Sequence, residues 1–340
     1  VRRRALVAGL VVTCLVLAAA VVVAVGHTFA FDERRVRIET ADGTLDAVLA
    51  TPRDPAGPTG VVLFVHGDGP VDATSDGFYR PIWEEVARAG YASLSWSKPG
   101  VGGSTGSWLD QSLADRAAEV AAVMDWAARQ PGLDPDRIGL WGASQAGWVV
   151  PAVAAQRDDV AFAVLVSPAV SWLRQGRFHL LAELDHAGAD PAERAAAVAV
   201  SDDTRRLLAA GADYARYRAE TIDPEPMDGA RWGFVSRNYT ADATADLTAM
   251  AARHVPTLLV LADGDLNVDV AETERTYRAI LGDDLTVRRF AGARHPLTRT
   301  AVQDHELVGL AVGITAPRAV FVPGYTAAHR EFLLGPAAGG

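Results

Sequence analysis

The sequence predicts an α/β fold in which a mostly parallel sheet is covered by helices on both faces and interrupted by a helical cap insertion. Three observations carry this expectation. Apolar runs of strand length, Gly60-Val-Val-Leu-Phe-Val65, Phe162-Ala-Val-Leu-Val166 and Pro256-Thr-Leu-Leu-Val-Leu-Ala262, recur between segments of helical period, as strands buried on both faces do. The first and last of these runs end in turns rich in Gly or Asp. A fourth run, Arg137-Ile-Gly-Leu-Trp141, passes through Gly142-Ala-Ser-Gln-Ala-Gly147 into the helix-compatible Trp148-Val-Val-Pro-Ala-Val-Ala154. Strand, sharp turn and helix with a Ser at the apex is a constellation with chemical meaning.

At the N-terminal end, Arg2-Arg-Arg4 precedes an unbroken apolar segment from Ala5 to Gly26, about the length needed to cross a bilayer core. Arginines ahead of such a segment favour a cytoplasmic start and an exported body. Thr28-Phe29-Ala30 offers small residues at the offsets of a signal-peptidase site. Residues 1–30 are therefore expected to be a transmembrane signal anchor, with a secreted body if the segment is cleaved. The first part of the core is expected over residues 31–170. In it, Tyr79 to Ala89 reads as a helix ended by Gly90, and Ser112-Leu-Ala-Asp115 as a capping box opening a helix with Leu113, Ala117, Val120 and Met124 on one face. Gly100-Val-Gly-Gly-Ser-Thr-Gly106 lacks the Gly-Lys-Ser/Thr ending of a phosphate cradle.

From Ser171 to Arg253 strand-like runs stop. Asp190-Pro191-Ala-Glu193 reads as an N-cap, a Pro at the first helical position and a Glu three residues in, and Asp223-Pro-Glu-Pro226 breaks the helical character that follows. Residues 171–253 are thus expected to be a helical cap that shapes the pocket, or a passive surface insert. Trp172 and Trp232 inside it, and Trp148 beside the Ser turn, are candidate pocket-lining residues. The second part of the core is expected over residues 254–336.

Ser144 is the candidate nucleophile. A hydroxyl is a weak nucleophile at neutral pH and needs a base and donors for the developing oxyanion. The N–H of Gln145, at a helix start beside Ser144, is one candidate donor. Gly142 and Ala146 are expected to face each other across the turn, where larger side chains would collide. The turn His66-Gly-Asp-Gly-Pro70 after an apolar strand offers a second donor, the N–H of Asp68. Downstream, Asp263, Asp265 and Asp269 compete as the acid, and Asp265 sits just beyond the strand end. Asp263 is expected in turn hydrogen bonds and Asp269 as a helix cap. His295, after the strand beginning at Leu285, is the candidate base, since only it, His305 and His329 follow the acid.

The segments Val65-His-Gly-Asp-Gly-Pro70, Tyr91 to Gly106, and Arg137-Ile-Gly-Leu-Trp-Gly-Ala-Ser144 resemble the α/β-hydrolase superfamily, and within it bacterial serine esterases of the dienelactone-hydrolase and acyl-transferase-like branch. Val322-Pro-Gly-Tyr325 with Glu331-Phe-Leu333 resembles the last helix of that group. The resemblance implies a Ser144-His295-Asp265 triad, an acyl-enzyme intermediate and a carboxylic ester or other acyl substrate. Acyltransferase, thioesterase or peptidase activity could use the same triad, and a non-catalytic hydrolase-fold binding module is the alternative of another class. Two departures stand out: Ser97-Lys98-Pro99 occupies a segment where relatives usually carry Asp and Arg, and Ala262 stands where they usually place Gly.

Composition narrows the classes. With 49% hydrophobic residues the 340-residue chain has ample material for a doubly covered sheet. The formal net charge of -10, with three arginines and no acids before residue 31, leaves an acidic body unsuited to nucleic acid. The single cysteine, Cys14, rules out disulfides within the chain and a cysteine cluster for metal. No metal-ligand spacing appears, and no cofactor is expected.

Overall fold

The computed structural model describes residues 13–14 and 17–335. Eight strands form one sheet in the order β1-β2-β4-β3-β5-β6-β7-β8. They are β1 (Phe31–Thr40), β2 (Gly43–Pro52), β3 (Thr59–Val65), β4 (Tyr91–Trp96), β5 (Leu133–Ala143), β6 (Phe162–Val166), β7 (Thr257–Ala262) and β8 (Leu285–Phe290). Strand β2 is antiparallel to both β1 and β4, and every other pairing is parallel. The two edge strands, β1 and β8, are rich in charge: Asp32, Glu33, Arg34, Arg35 and Arg37 on one, Arg288 and Arg289 on the other.

Each central strand feeds two cores, because alternate side chains point to opposite faces. Val61, Leu63 and Val65 of β3 join one buried cluster. Val62 and Phe64 join the other. The first cluster is closed by α3 (Leu113–Ala128), α4 (Val150–Gln156), α9 (Thr244–Ala251) and α10 (Val270–Leu281). The second is closed by α2 (Arg80–Arg88) and α13 (Tyr325–Leu334). This is the doubly covered, mostly parallel sheet that the sequence predicts.

The chain leaves β3 through α2 to β4 on one side, then crosses through α3 to β5 on the other. Such a reversal opens a crevice at the carboxyl ends of the two strands. The His66–Pro70 turn and the Ser144 turn both emerge there. Local signals act as read: Ser112 and Asp115 form a reciprocal capping box on α3, and Asp190 and Glu193 do the same for α6 (Pro191–Ala209).

The segment 171–253 contains α5 (Trp172–Ala187), α6, α7 (Tyr214–Glu220), α8 (Gly229–Asn238) and α9. Helices α6 to α8 bury a small core of their own, with Leu207, Leu208, Tyr217, Trp232 and Phe234 at its centre. Helix α9 instead buries Leu247 and Met250 in the core of the sheet, so the cap proper stops before it.

Residues 17–26 are helical (α1) and expose Leu17, Val21, Val22 and Val25. Among the described residues no helix is long and apolar enough to cross a membrane. Most of the arginine-led half of the expected anchor, residues 1–12 and 15–16, lies outside the described residues. The end of α1 is held to the body by Arg318, whose guanidinium donates to the carbonyls of Gly26 and Thr28 at 2.8 Å each. Between β8 and α13, the chain adds α11 (Thr300–Gln303) and α12 (Glu306–Thr315).

Packing between β5 and β6 generates a stability prediction. Gly139 pairs with Phe162, and a Cβ on Gly139 would sit 2.1 Å from the Phe162 ring. Gly139→Ala is expected to lower stability by about 1–3 kcal/mol, the usual cost of forcing an extra carbon into a packed core. A denaturant midpoint equal to that of the wild type would show that the ring moves aside freely.

Candidate active site

Backbone geometry singles out Ser144. It follows the last residue of β5, opens the 3-10 helix Ser144–Trp148 and holds a left-handed φ of +52°. A non-glycine residue in that region is strained and persists only where its surroundings impose it. They do so through small residues. A Cβ on Gly142 would lie 2.7 Å from Val150 Cγ2 and 3.0 Å from Ala146 Cβ. A Cβ on Gly147 would lie 2.6 Å from Pro168 Cβ. Gly142 and Ala146 thus oppose each other as expected, and Ala146 is accommodated because its neighbour across the turn has no side chain.

The acid and the imidazole meet. Asp265 Oδ2 lies 2.7 Å from His295 Nδ1. Its other oxygen accepts the backbone N–H groups of Asn267 at 2.7 Å and Val268 at 3.0 Å. Asp265 is buried and has all the partners a carboxylate there requires. Because Nδ1 faces a carboxylate it carries the proton, which leaves Nε2 as the acceptor. The Ser167 hydroxyl, on a residue with φ of +47°, donates to the His295 carbonyl at 2.8 Å and fixes the loop.

The rival residues are placed elsewhere. Asp263 is exposed and pairs with Arg289 at 2.7 Å, rather than tying its own turn as expected. Its side chain lies exposed beside β8, where the Arg289 guanidinium meets it. Asp269 caps α10 by accepting the Glu272 N–H at 2.9 Å. His329 is fully buried, with Nδ1 3.0 Å from the Tyr325 carbonyl and Nε2 accepting from Trp141 Nε1 at 3.0 Å. Burial holds it neutral, with its pKa lowered to about 4. His305 is an exposed residue before α12.

The two expected donor turns lie side by side, a Cβ on Gly67 falling 3.3 Å from Ser144 Cβ. They are joined from behind by Arg116 of α3, which sequence pattern alone does not mark. One guanidinium nitrogen donates to Gln145 Oε1 at 2.6 Å and the other to the His66 carbonyl at 2.7 Å. Gln145 Nε2 in turn donates to Asp68 Oδ1 at 3.1 Å. His66 itself is buried between Tyr79 and the Trp96 carbonyl, and burial drops its pKa to about 3, so it stays neutral.

The cap touches both halves of the site. Arg231 of α8 makes a two-pronged ion pair with Asp68, at 2.7 and 3.1 Å. On the other side, α5 reaches the acid loop: Gln175 Nε2 donates to the Asn267 carbonyl at 2.9 Å and His179 Nδ1 lies 3.1 Å from the Leu266 carbonyl. The expected pocket residues need correction. Trp232 is 2% exposed, stacks on Tyr217 at 3.9 Å and fills the core of the cap. Trp148 is buried with its indole N–H on the Val170 carbonyl. Trp172 is half-buried, stacked on Trp148 where cap meets sheet. Large aromatic area is worth more in a core than on a pocket wall, and Trp232 and Trp148 go there. Among the described residues no group of His, Cys, Asp and Glu could hold a metal ion.

This sheet order with a strained Ser after β5 defines an α/β hydrolase. The chain belongs to the X-Pro dipeptidyl-peptidase (S15) family, whose model matches residues 42–292. It is an enzyme of the serine hydrolase kind. No curated protein matches it. Among solved structures, it is similar to Est1E from Butyrivibrio proteoclasticus, solved with ferulic acid bound, at TM-score 0.55 and 19% identity over 88% of this chain and 98% of that one. An esterase from Pyrococcus furiosus aligns at TM-score 0.55 and 16% identity, over 89% and 90%. The acylaminoacyl peptidase of Pyrococcus horikoshii aligns at 0.53 and 15%, over 90% of this chain and 42% of that one. At such identities the likeness speaks for the fold.

The ion pair between cap and turn is testable. Arg231→Met is expected to speed amide hydrogen exchange in α8 and in residues 66–72, with little change in the unfolding midpoint, because the pair is part-exposed. Exchange unchanged in both segments would mean that the cap is held by its apolar contacts alone.

Proposed function

We propose that the protein hydrolyses carboxylic esters through Ser144, His295 and Asp265, by way of an acyl-enzyme. The observation that carries this reading is the Asp265–His295 contact of 2.7 Å, made at the same sheet end as the strained Ser144. In this mechanism the imidazole takes the Ser144 proton through Nε2 as the hydroxyl attacks the carbonyl carbon, and returns it to the leaving alcohol. Water then attacks the acyl-enzyme, giving up its proton to the same nitrogen. Asp265 holds the imidazole in the tautomer this requires and stabilises the imidazolium. The N–H groups of Gln145 and Asp68 hold the tetrahedral oxyanion.

Esters are favoured over peptides by the esterase neighbours of nearly equal length, one of which binds ferulic acid. Peptide hydrolysis is the second reading, favoured by the family that the chain matches. We further propose that residues 1–30 hold the enzyme at a membrane with its catalytic body outside the cytoplasm. The exposed apolar side chains of α1 support this, and fractionation of the full chain with membranes tests it.

Ser144→Ala is expected to abolish p-nitrophenyl acetate turnover and labelling by a fluorophosphonate probe. Residual labelling of that variant would move the nucleophile elsewhere, and an unlabelled wild type would favour a non-catalytic binding module. Asp265→Asn is expected to cost up to about four orders of magnitude in kcat, as loss of the orienting carboxylate does in a comparable triad, whereas Asp263→Asn stays near wild type. His295→Gln is expected to remove the rate, because the Ser144 proton then has no imidazole to accept it.

A further inference from the structure

Lys98 is a lysine with almost no access to water. It is 2% exposed and lies just past β4, in the segment where Ser97-Lys98-Pro99 departs from the usual pattern. Its Nζ donates to the carbonyl of Gly67 at 2.5 Å and stands over the Trp108 ring, 4.8 Å from its centre. That carbonyl belongs to the same planar peptide unit as the N–H of Asp68. In a trans peptide, the two groups point in opposite directions, so a cation on the oxygen side leaves the N–H side free for a substrate. Among the described residues no backbone carbonyl takes the Asp68 N–H. A positive charge on the oxygen draws electron density through the amide and makes its N–H a stronger donor. Arg116 treats the preceding peptide in the same way, through the His66 carbonyl at 2.7 Å.

We infer that Lys98 is a positioning residue for the reaction: its ammonium holds the Gly67–Asp68 peptide in place and polarises the Asp68 N–H toward the oxyanion. This rests on the triad reading of the previous subsection, since the donor serves an oxyanion formed at Ser144. The groups facing Lys98 are Arg116 and Glu119 of α3, Asp68 of the turn, Arg231 of α8 and His66 at the end of β3. Burial foremost, then the Arg116 charge, lowers the Lys98 pKa to about 6. Its proton is therefore present below that value and lost as pH rises through it. Negative charge growing on the substrate oxygen favours the protonated form. A rate that depends on this proton carries a falling alkaline limb.

The test measures kcat and KM on p-nitrophenyl acetate across pH for the full chain and for Lys98→Met and Lys98→Arg, with fluorophosphonate labelling and thermal melting of each. In the wild type, a falling alkaline limb in kcat is expected. Lys98→Met is expected to lower kcat by about ten- to a hundredfold, less than outright loss of an oxyanion donor, with KM within about twofold and the alkaline limb gone. Lys98→Arg, whose charge persists at every pH used, is expected to recover most of kcat and to keep it at high pH. A wild type without an alkaline limb overturns the proposal even if neither variant folds. So does a folded Lys98→Met with wild-type kcat, or a loss in that variant that Lys98→Arg does not repair. A wild type that neither labels nor turns over overturns the triad reading, and this inference with it. A wild type that labels while Lys98→Met matches its profile overturns this inference alone.

Discussion

The arrangement depends on one buried cation. Arg116 is shut away from water, yet it spans the two turns that frame Ser144, with one prong on the Gln145 side chain and one on the His66 backbone. Neither contact is to a carboxylate. The guanidinium has left water for neutral acceptors, with Glu119 and Asp68 offsetting its charge from a distance, and burial lowers its pKa accordingly. Removing it would leave a buried carbonyl and a buried amide oxygen without donors. The two turns come from strands adjacent in the sheet but separated by the whole of α2, β4 and α3 in sequence. Arg116 converts that adjacency into a fixed spacing.

Around this cation the site is built in layers. Backbone strain at Ser144 is imposed from below by Gly142, Ala146 and Val150, and from the side by Pro168. The imidazole is fixed at both ends, its ring by Asp265 and its backbone by Ser167. The cap then rests on polar contacts: Arg231 on the Asp68 turn, and Gln175 and His179 on the acid loop. Apolar contact joins the cap to the sheet at Trp172, which stacks on Trp148 and packs against both cores.

Much of this was legible in the sequence, for physical reasons particular to each feature. The strand–turn–helix with small residues around Ser144 is a steric pattern, and sterics are local. The capping boxes at Ser112 and Asp190 are local as well, and the choice of Asp265 over Asp263 followed from its distance past the strand. What could not be read was which side chains turn inward over long range. Arg116 lies on an amphipathic helix where a charge ordinarily faces water, and only the arrival of two distant turns explains its burial. Lys98 carries the same ambiguity, although the unusual Ser97-Lys98-Pro99 was a signal at the right place. Trp232 was misread because an aromatic residue in a cap satisfies a pocket wall and a small core equally well on paper. Helix α9 reads as part of the insert by composition, and its Leu247 and Met250 reveal their allegiance only in packing.

The two edge strands have a consequence for how copies of this protein behave beside one another. An open sheet presents unpaired backbone groups along its outermost strands, a template onto which another chain could add. Here β1 places Asp32, Glu33, Arg34, Arg35 and Arg37 on one rim, and β8 places Arg288 and Arg289 on the other. A strand from a second copy would have to strip water from these side chains, a cost that charges repay only where partners replace the water. Charge on both rims therefore opposes lateral growth of the sheet.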